Sequence, residues 1–474
     1  MEGVDNLIKF GTGGWRAIIA DDFTYSNIRI VAQAVAEDIK NRNNTDQVVV
    51  IGYDNRFLSD TAAKLCAEVL AANNIRTLFI DNQAPTPLIM YTVREVGATY
   101  GMVITASHNP ANYNGIKIIS VGGRDANADE SDRLEEIIST IDKPLYMNFE
   151  DAVAQEKIQK INPLNSYIDA ILRMVDIEAI RNSNLKIIID TMYGVSKLSL
   201  QTVLITCRCN VDVINDRHDT LFGGQLPAPS IDTLGKLQRL VLERKADLGL
   251  ATDGDADRLG IISDKGEFIH PNDILTIMYY YLLKYKGLKG PVVRNIATTH
   301  LLDRIADSFG QEHYEVPVGF KYISSKMEET NALLGGESSG GLTIRGHIKG
   351  KDGIFAAAIL VEAISTTGLS ISQLSDKIHE TYGQTYFIEC NRKLDDKLKS
   401  HLMERLFASK KVPEIPYDID KISYLDGVKI YFKDGGWISA RFSGTEPLIR
   451  IFCEMDTKGK CENVIDIFTT FLGL

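Results

Sequence analysis

The chain has 474 residues, 44% of them apolar and 24% charged, ordinary proportions for a globular protein; at about 150 residues per domain the length predicts roughly three domains. Lys and Arg number 52 against 63 Asp and Glu, a formal charge of −11, which argues against sequence-blind nucleic-acid binding with its basic footprint. Any anionic ligand must therefore be drawn by local basic groups and not by the global field.

Residues 1–11 show no basic segment followed by an apolar stretch, so no signal peptide is expected. No run approaches the ~18 apolar residues of a membrane helix. Cys66, Cys207, Cys209, Cys390, Cys453 and Cys461 form no CxxC pair and read as reduced, mostly buried thiols. The expectation is a soluble cytoplasmic protein without a membrane or nucleic-acid partner.

Along the chain, Gly11-Thr12-Gly13-Gly14 fails as a dinucleotide fingerprint because residue 16 is Arg. Val48–Tyr53 is an apolar β-branched run that predicts a strand. It leads into Asp54-Asn55-Arg56, with Ser59 or Asp60 capping a helix from Thr61. Met102–Ile104 predicts a strand ending in Thr105-Ala106-Ser107-His108-Asn109-Pro110, and strand ends are where ligands of α/β folds bind. Asn109-Pro110 and Asn114-Gly115 signal turns, which places Ser107 and His108 on a tight exposed loop. Ser107 there is either a nucleophile or part of a plain polar turn. The surroundings are not G-x-S-x-G, which disfavours that class of hydrolase.

Lys186–Asp190 predicts a strand running into a Gly194 loop and a helix. Asp247–Ala251 predicts another, followed by Asp253-Gly254-Asp255-Ala256-Asp257-Arg258. Three carboxylates at alternate positions repel unless a cation sits among them, and a hard ion such as Mg²⁺ takes oxygen ligands. The register excludes an EF-hand, and the alternative is a solvated acidic turn. Pro291–Val293 leads to Asn295 and a helix from about Thr299. Next come Gly335-Gly336-Glu337-Ser338-Ser339-Gly340-Gly341 and Gly346–Gly353, where Gly346 to Lys351 is one residue short of a P-loop. A carboxylate and a hydroxyl, Glu337 and Ser339, suit a polyol; a flexible Gly-rich turn is the plain alternative.

The last ~90 residues differ. Tyr386–Cys390, Val428–Phe432, Trp437–Arg441 and Leu448–Glu454 predict strands, with a hairpin turn over residues 433–436. Asp395–Ser409 and Cys461–Leu472 predict helices, and Pro413–Pro416 a loop. In Arg441-Phe442-Ser443-Gly444-Thr445-Glu446-Pro447 the backbone amides can form an anion nest, with Arg441 and Arg450 able to fork onto phosphate oxygens. The bland alternative is a hairpin with two surface arginines. The fold class read from these patterns is α/β: three similar mixed-sheet units and a smaller α+β tail, with divisions near 145–160, 265 and 385.

From Phe10-Gly11-Thr12-Gly13-Gly14-Trp15-Arg16 to Arg450, the order and spacing of TASHNP, DGDADR and RFSGTEP resemble the α-D-phosphohexomutase family, which includes phosphoglucomutases, phosphomannomutases and phosphoglucosamine mutases. The resemblance implies four domains around a central cleft: 1–150 with the phosphoserine loop, 151–265 with the metal loop, 266–385 with the sugar loop and 386–474 with the phosphate site. It implies that Ser107 carries the phosphoryl group and completes a Mg²⁺ site with Asp253, Asp255 and Asp257. It makes Gly319, Phe320, Lys321, Glu337 and Ser339 sugar contacts. Arg441, Ser443, Gly444, Thr445 and Arg450 become the clamp for the phosphate that is not transferred. Arg16 and Arg258 would stabilise transferring charge; His108, Lys117 and Lys351 match positions with acid–base or charge roles. The implied partners are hexose phosphates, with a hexose 1,6-bisphosphate as intermediate and activator, in a monomer or homodimer.

The implied reaction interconverts α-D-glucose 1-phosphate and glucose 6-phosphate. Ser338 matches none of the residues that the subfamilies place between the Glu and Ser of that loop. Gly341 and the His347–Gly353 segment resemble phosphoglucomutase, with phosphomannomutase or phosphoglucosamine mutase as alternatives. A Mg²⁺-dependent sugar phosphatase using the same acidic loop would not need the second phosphate clamp. Trp15 replaces the usual small residue of the first motif.

Overall fold

A computed structural model describes residues 8–11, 13–42, 47–443 and 447–474. The chain forms two compact units, Met1–Pro271 with Ser339–Ser372, and Asn272–Ser338 with Gln373–Leu474.

The first unit holds two mixed sheets. In the first, Val48–Tyr53, Arg76–Ile80, Tyr100–Ile104 and Ile158–Ile161 run parallel, while Tyr113–Ser120 pairs antiparallel with Tyr100–Ile104 and with Trp15–Ile18. Val48–Tyr53 is apolar almost throughout because it is buried on both faces, as parallel strands covered by helices must be. In the second sheet, Leu248–Thr252, Lys186–Asp190 and Asn210–Ile214 run parallel, with Leu259–Ile262 and Phe268–Ile269 added antiparallel.

Alternation along Trp15–Ile18 explains the unusual tryptophan. Trp15 and Ala17 face the core, and Trp15 packs on Phe23 with ring centroids 5.5 Å apart. Arg16 therefore points to the opposite face of the strand. Gly115, across the ladder, is obligatory: a Cβ there would collide with the carbonyl oxygens of Trp15 and Thr105.

The helix expected from Thr61 starts earlier, spanning Ser59–Ala72 behind Leu58, whose φ is 66°. Ser59 does not cap it by side chain, because its hydroxyl donates to Asp54 Oδ1 at 2.8 Å. Among the described residues no single helix is long and apolar enough to cross a membrane.

The second unit holds the parallel strands His313–Val316, Val292–Asn295 and Leu334–Gly336, and a five-stranded antiparallel sheet in the order Tyr386–Lys393, Leu448–Met455, Trp437–Phe442, Val428–Phe432 and Ile419–Ser423. The helix Lys458–Leu472 packs on this sheet with Leu402, Ile449 and Phe468 in the shared core. Asp395 caps the shorter helix Asp396–Met403, which widens into a π turn over Glu404–Ala408.

A buried charge cluster ties the two sheets of this unit together. Arg294 donates to both Asp303 and Glu315, each at 2.5 Å. Lys429 Nζ donates to Glu315 at 2.7 Å and to the Ile296 carbonyl at 2.6 Å, and lies 3.9 Å above the Trp437 ring. Burial and the nearby Arg294 lower the Lys429 ammonium to about 7, against the pull of Glu315. Glu315→Gln leaves the buried Lys429 without its carboxylate while Arg294 keeps only Asp303, so we expect it to lower the unfolding free energy by about 3–5 kcal/mol. Urea titration measures this, and a loss below about 1 kcal/mol, the scale of an exposed pair, contradicts the cluster's role.

Candidate active site

The motif loops follow strand ends. Residues 105–110 follow Tyr100–Ile104, residues 253–258 follow Leu248–Thr252, and Glu337 follows Leu334–Gly336. This is the edge of a parallel sheet where α/β folds gather their ligands.

Contrary to the exposed loop expected from sequence, Ser107 is fully buried and His108 is half-buried. Ser107 has φ 52°, in the left-handed region that non-glycine residues seldom occupy. Its amide donates to Thr105 Oγ1 at 2.8 Å, and Thr105 Oγ1 donates to Asp54 Oδ2 at 2.5 Å. The Ser107 hydroxyl donates to Asp253 Oδ2 at 2.9 Å, across 146 residues of chain. Gly254 permits this approach, since a Cβ there would lie 2.7 Å from the Ser107 carbonyl oxygen.

Asp253, Asp255 and Asp257 are all buried, and one oxygen of each lies within 4.8 Å of the others. Asp253 Oδ1 closes the turn by accepting from the amides of Asp257 at 3.0 Å and Arg258 at 3.1 Å. Asp255 Oδ2 accepts from Lys117 Nζ at 2.6 Å and from Thr86 Oγ1 at 2.6 Å. Asp257 Oδ2 accepts from Lys117 Nζ at 2.8 Å, and Lys351 Nζ lies 3.1 Å from it. Asp255 Oδ1 and Asp257 Oδ1 are buried without any hydrogen-bond partner among the described residues. Buried carboxylate oxygens of that kind fit a hard divalent cation, which is the ligand set Mg²⁺ takes.

The protonation pattern follows from this crowding. Burial and the charges of Asp255 and Asp257 push the Asp253 carboxyl well above the usual range. Burial opposes ionisation of Asp257 too, but Lys117, Lys351 and Arg258 outweigh it and hold its carboxyl well below that range. Burial disfavours the Lys117 ammonium, yet Asp255 and Asp257 raise its affinity for the proton.

Cations surround the Ser107 side of the cluster. Arg16 Nη1 donates to Asn109 Oδ1 at 2.8 Å, while Arg16 Nε and Arg258 Nε are buried without an acceptor among the described residues. Burial and Arg258 weaken the hold of Arg16 on its proton. His108 Nδ1 lies 3.4 Å from Ser107 Oγ, and Arg258, burial and Arg16 together keep the imidazole well below its usual pKa, hence neutral. Two guanidinium N–H groups lacking acceptors beside a serine are suited to an anion such as a phosphoryl group.

The first unit thus assembles Ser107, His108, Arg16, Lys117, Arg258, Lys351 and the three aspartates. Asp352 holds the Lys351 segment: it caps the helix Gly353–Thr367, accepts from Tyr167 Oη at 2.7 Å and lies 2.6 Å from His347 Nε2. Ser339 belongs to this unit and is exposed.

In the second unit, Glu337 Oε1 accepts from Asn295 Nδ2 and from the Gly319 amide, both at 3.2 Å. The Ser338 amide donates to Thr298 Oγ1 at 3.2 Å. Gly319, at φ 132°, precedes the helix Phe320–Thr330. The Phe320 side chain is packed in a core with Val293, Val316 and Ile323, so it cannot serve as a ligand contact; its apolar ring is the anchor of that helix. Lys321 is half-buried, its ammonium 5.3 Å from the Tyr322 ring. Arg441 pairs with Asp426 at 3.2 Å, and the same Asp426 oxygen accepts from the Val318 amide at 2.9 Å, joining the Arg441 strand to the Gly319 turn. Arg441 and Arg450 are direct cross-strand partners, like charges offset by Asp426 beside Arg441 and by Glu389, which accepts from Arg450 Nη1 at 3.2 Å. The Ser443 amide donates to the Leu448 carbonyl at 2.9 Å; Gly444 and Thr445 lie outside the described residues.

Sequence reading missed Asp54, Thr86, Asn295 and Thr298. A visible signal existed for Asp54, because an acid directly after a strand buried on both faces must find partners.

The chain matches four domain profiles described as phosphoglucomutase/phosphomannomutase: alpha/beta/alpha domain I over residues 7–145, domain II over 165–266, domain III over 270–382 and the C-terminal domain over 389–470. A phosphoglucomutase/phosphomannomutase from Thermococcus kodakarensis is 31% identical over 462 residues, covering 97% of both chains. A phosphoglucosamine/phosphogalactosamine mutase from Sulfurisphaera tokodaii is 30% identical over 463 residues, covering 96% of this chain and 97% of the relative. A crystal structure of a chain named as a phosphomannomutase, from Thermus thermophilus, superposes with a TM-score of 0.86 at 26% identity, covering 98% of this chain and 99% of that one. With every domain matched in order and the motif residues gathered at strand ends, the chain belongs to the phosphoglucomutase/phosphomannomutase family of phosphohexomutases.

Proposed function

We propose that this phosphohexomutase interconverts α-D-glucose 1-phosphate and glucose 6-phosphate through a phosphorylated Ser107 and a glucose 1,6-bisphosphate intermediate. The observation that carries the reading is Ser107 Oγ, 2.9 Å from Asp253, near two carboxylate oxygens and two guanidinium N–H groups that are buried without a hydrogen-bond partner among the described residues. Asp253, Asp255 and Asp257 would hold Mg²⁺ with an oxygen on Ser107, and the ion supplies charge neutralisation to the transferring phosphoryl group. Phosphoryl transfer needs positioning and charge stabilisation more than covalent help.

In this reading the bond between Ser107 Oγ and phosphorus breaks as a sugar hydroxyl bonds to that phosphorus. Arg16 and Arg258 stabilise the equatorial oxygens. The hydroxyl proton goes to a neighbouring base, for which His108 and Lys351 are the candidates; the cations that keep His108 neutral also oppose its protonation until phosphoryl charge offsets them. The bisphosphate then returns its other phosphoryl group to Ser107. Glu337 and Ser339 bind sugar hydroxyls, with the backbone of Gly319 and Phe320 and the side chain of Lys321 beside them. Arg441, Ser443, Gly444, Thr445 and Arg450 hold the phosphate that is not transferred.

Glucose is supported by the likeness of the His347–Gly353 segment to phosphoglucomutases and by the placement of its Lys351 against Asp257. An amino sugar is the second reading, supported by the name of the Sulfurisphaera tokodaii relative. Incubation with Mg²⁺, a trace of glucose 1,6-bisphosphate and each hexose 1-phosphate ranks the sugars by the 6-phosphate formed. Glucose should give the largest kcat/KM. Preference for glucosamine or mannose overturns the sugar, and release of free phosphate alone overturns the mutase.

Two substitutions test the parts. Ser107→Ala should abolish turnover and remove the phosphorylated peptide from the mass map; retained turnover would mean the wrong nucleophile. Asp255→Asn should weaken Mg²⁺ binding, measured by calorimetry, by more than about tenfold, since losing even a supporting group at a metal site costs that much. Unchanged affinity would remove Asp255 from the ligand set.

A further inference from the structure

Arg56 lies at the end of the central strand Val48–Tyr53, is 3% exposed, and has no role among the groups above. Its two terminal nitrogens are spent on backbone carbonyls of one loop. Nη2 donates to Ser107 O at 2.7 Å and to Asn109 O at 2.6 Å; Nη1 donates to Pro110 O at 2.8 Å and to Tyr113 O at 3.0 Å. One face of the guanidinium lies 4.8 Å from the Phe222 ring. Asp54 completes the frame, with Oδ2 3.5 Å from Arg56 Nε, while its Oδ1 accepts from the Arg56 amide at 2.9 Å.

We propose that Arg56 is a positioning residue for phosphoryl transfer: its planar fork holds the 107–113 loop by its carbonyls and fixes Ser107 in the left-handed conformation that aims Oγ at Asp253. The two peptide groups of Ser107 are gripped from opposite sides, the amide by Thr105 and the carbonyl by Arg56. A left-handed serine is a costly conformation that persists only where its surroundings over-determine it. Gripping carbonyls instead of the side chain leaves Oγ available in both its phosphorylated and unphosphorylated states. Only Arg offers five N–H donors in a fixed plane; Lys offers a point charge with three. Arg56 contacts neither a metal ligand's carboxylate nor any group assigned to the sugar, so its loss should act on the chemical step and spare sugar-phosphate binding.

The test rests on the mutase reading for its kinetics and on hydrogen exchange for its geometry, so that the two can fail separately. Arg56→Lys keeps the stem and charge and should fold, as read from thermal unfolding. It should lower kcat by about 100-fold, the cost of misplacing a reacting group by about 1 Å, with KM nearly unchanged. Amide exchange should quicken over residues 105–113 and nowhere else. In Arg56→Ala, guanidinium ion far below denaturing concentrations should restore part of kcat, and urea at the same concentration should not. An Arg56→Lys enzyme with wild-type kcat, or one whose KM rises while kcat holds, overturns the proposal. Should Arg56→Ala fail to fold, the Arg56→Lys kinetics decide. Should wild-type protein turn over no hexose phosphate, the mutase reading falls, and unchanged exchange at 105–113 in Arg56→Lys would overturn the positioning role as well.

Discussion

The Lys117 ammonium sits between Asp255 and Asp257, 2.6 and 2.8 Å from their oxygens, in a turn closed off from water. Two carboxylates at such spacing could not both ionise in a low-dielectric site without it. The strand carrying Lys117 pairs with Tyr100–Ile104, whose end launches the Ser107 loop, so one ladder sets both the cation and the serine. That pairing in turn needs Gly115, which lets the Trp15 strand and Thr105 close in from two sides. The reactive geometry is thus a consequence of sheet register, and the acidic loop reaches it only because Gly254 lets the Ser107 backbone come near.

Two buried charge clusters among the described residues differ in what they leave open. In the second unit, Arg294 pairs with both Asp303 and Glu315, and Lys429 with Glu315 and a carbonyl. Their donors end on protein acceptors, which is what a structural cluster requires, because a half-satisfied network is worse than an apolar core. Around Ser107 the arithmetic does not close within the protein. Carboxylate oxygens of Asp255 and Asp257 and the Nε of Arg16 and Arg258 make no hydrogen bond among the described residues, and the Arg258 Nε is held only by ion pairs at 3.9 Å. Evolved proteins carry such deficits where a ligand completes them. The deficit is of both signs, which suits a cation and a phosphoryl group together.

What could be read from sequence and what could not divides along chain distance. Ser107, the three aspartates and the arginine pair of the final motif are short strings whose chemistry is local, and spacing alone suggests an acid cluster or an anion nest. Arg56 and Thr86 act on partners 51 and 169 residues away, so no window of sequence shows them. Phe320 shows the opposite limit: expected among the sugar contacts from its loop, it opens a helix whose apolar face must be buried, so its ring lies in the core and only its backbone is left for that role. Ser59 looked like a helix cap because its type favours caps, but a buried Asp54 competes for the same hydroxyl. Trp15 looked anomalous in a motif of small residues. The strand's alternation shows that it sends its ring to the core and thereby turns Arg16 toward Asn109.

Three arginines stand around one serine, and residue type does not tell them apart; the fate of their terminal N–H groups does. Both terminal nitrogens of Arg56 are saturated by carbonyls, and its Nε faces Asp54 across 3.5 Å. It has little to offer a phosphate and can act only through the backbone it holds. Arg16 spends one terminal nitrogen on Asn109, and the Nε of all three arginines is buried without a hydrogen-bond acceptor among the described residues. Burial and the nearby Arg258 disfavour the charge of Arg16, and an anion beside it relieves this. Carboxylates lie beside both Arg56 and Arg258, so what marks Arg56 as framework is that its two terminal nitrogens end on four backbone carbonyls of one loop. Within a single buried shell, satisfaction of the terminal donors therefore separates the arginine proposed to hold the serine in place from the two proposed to bind the reacting phosphate.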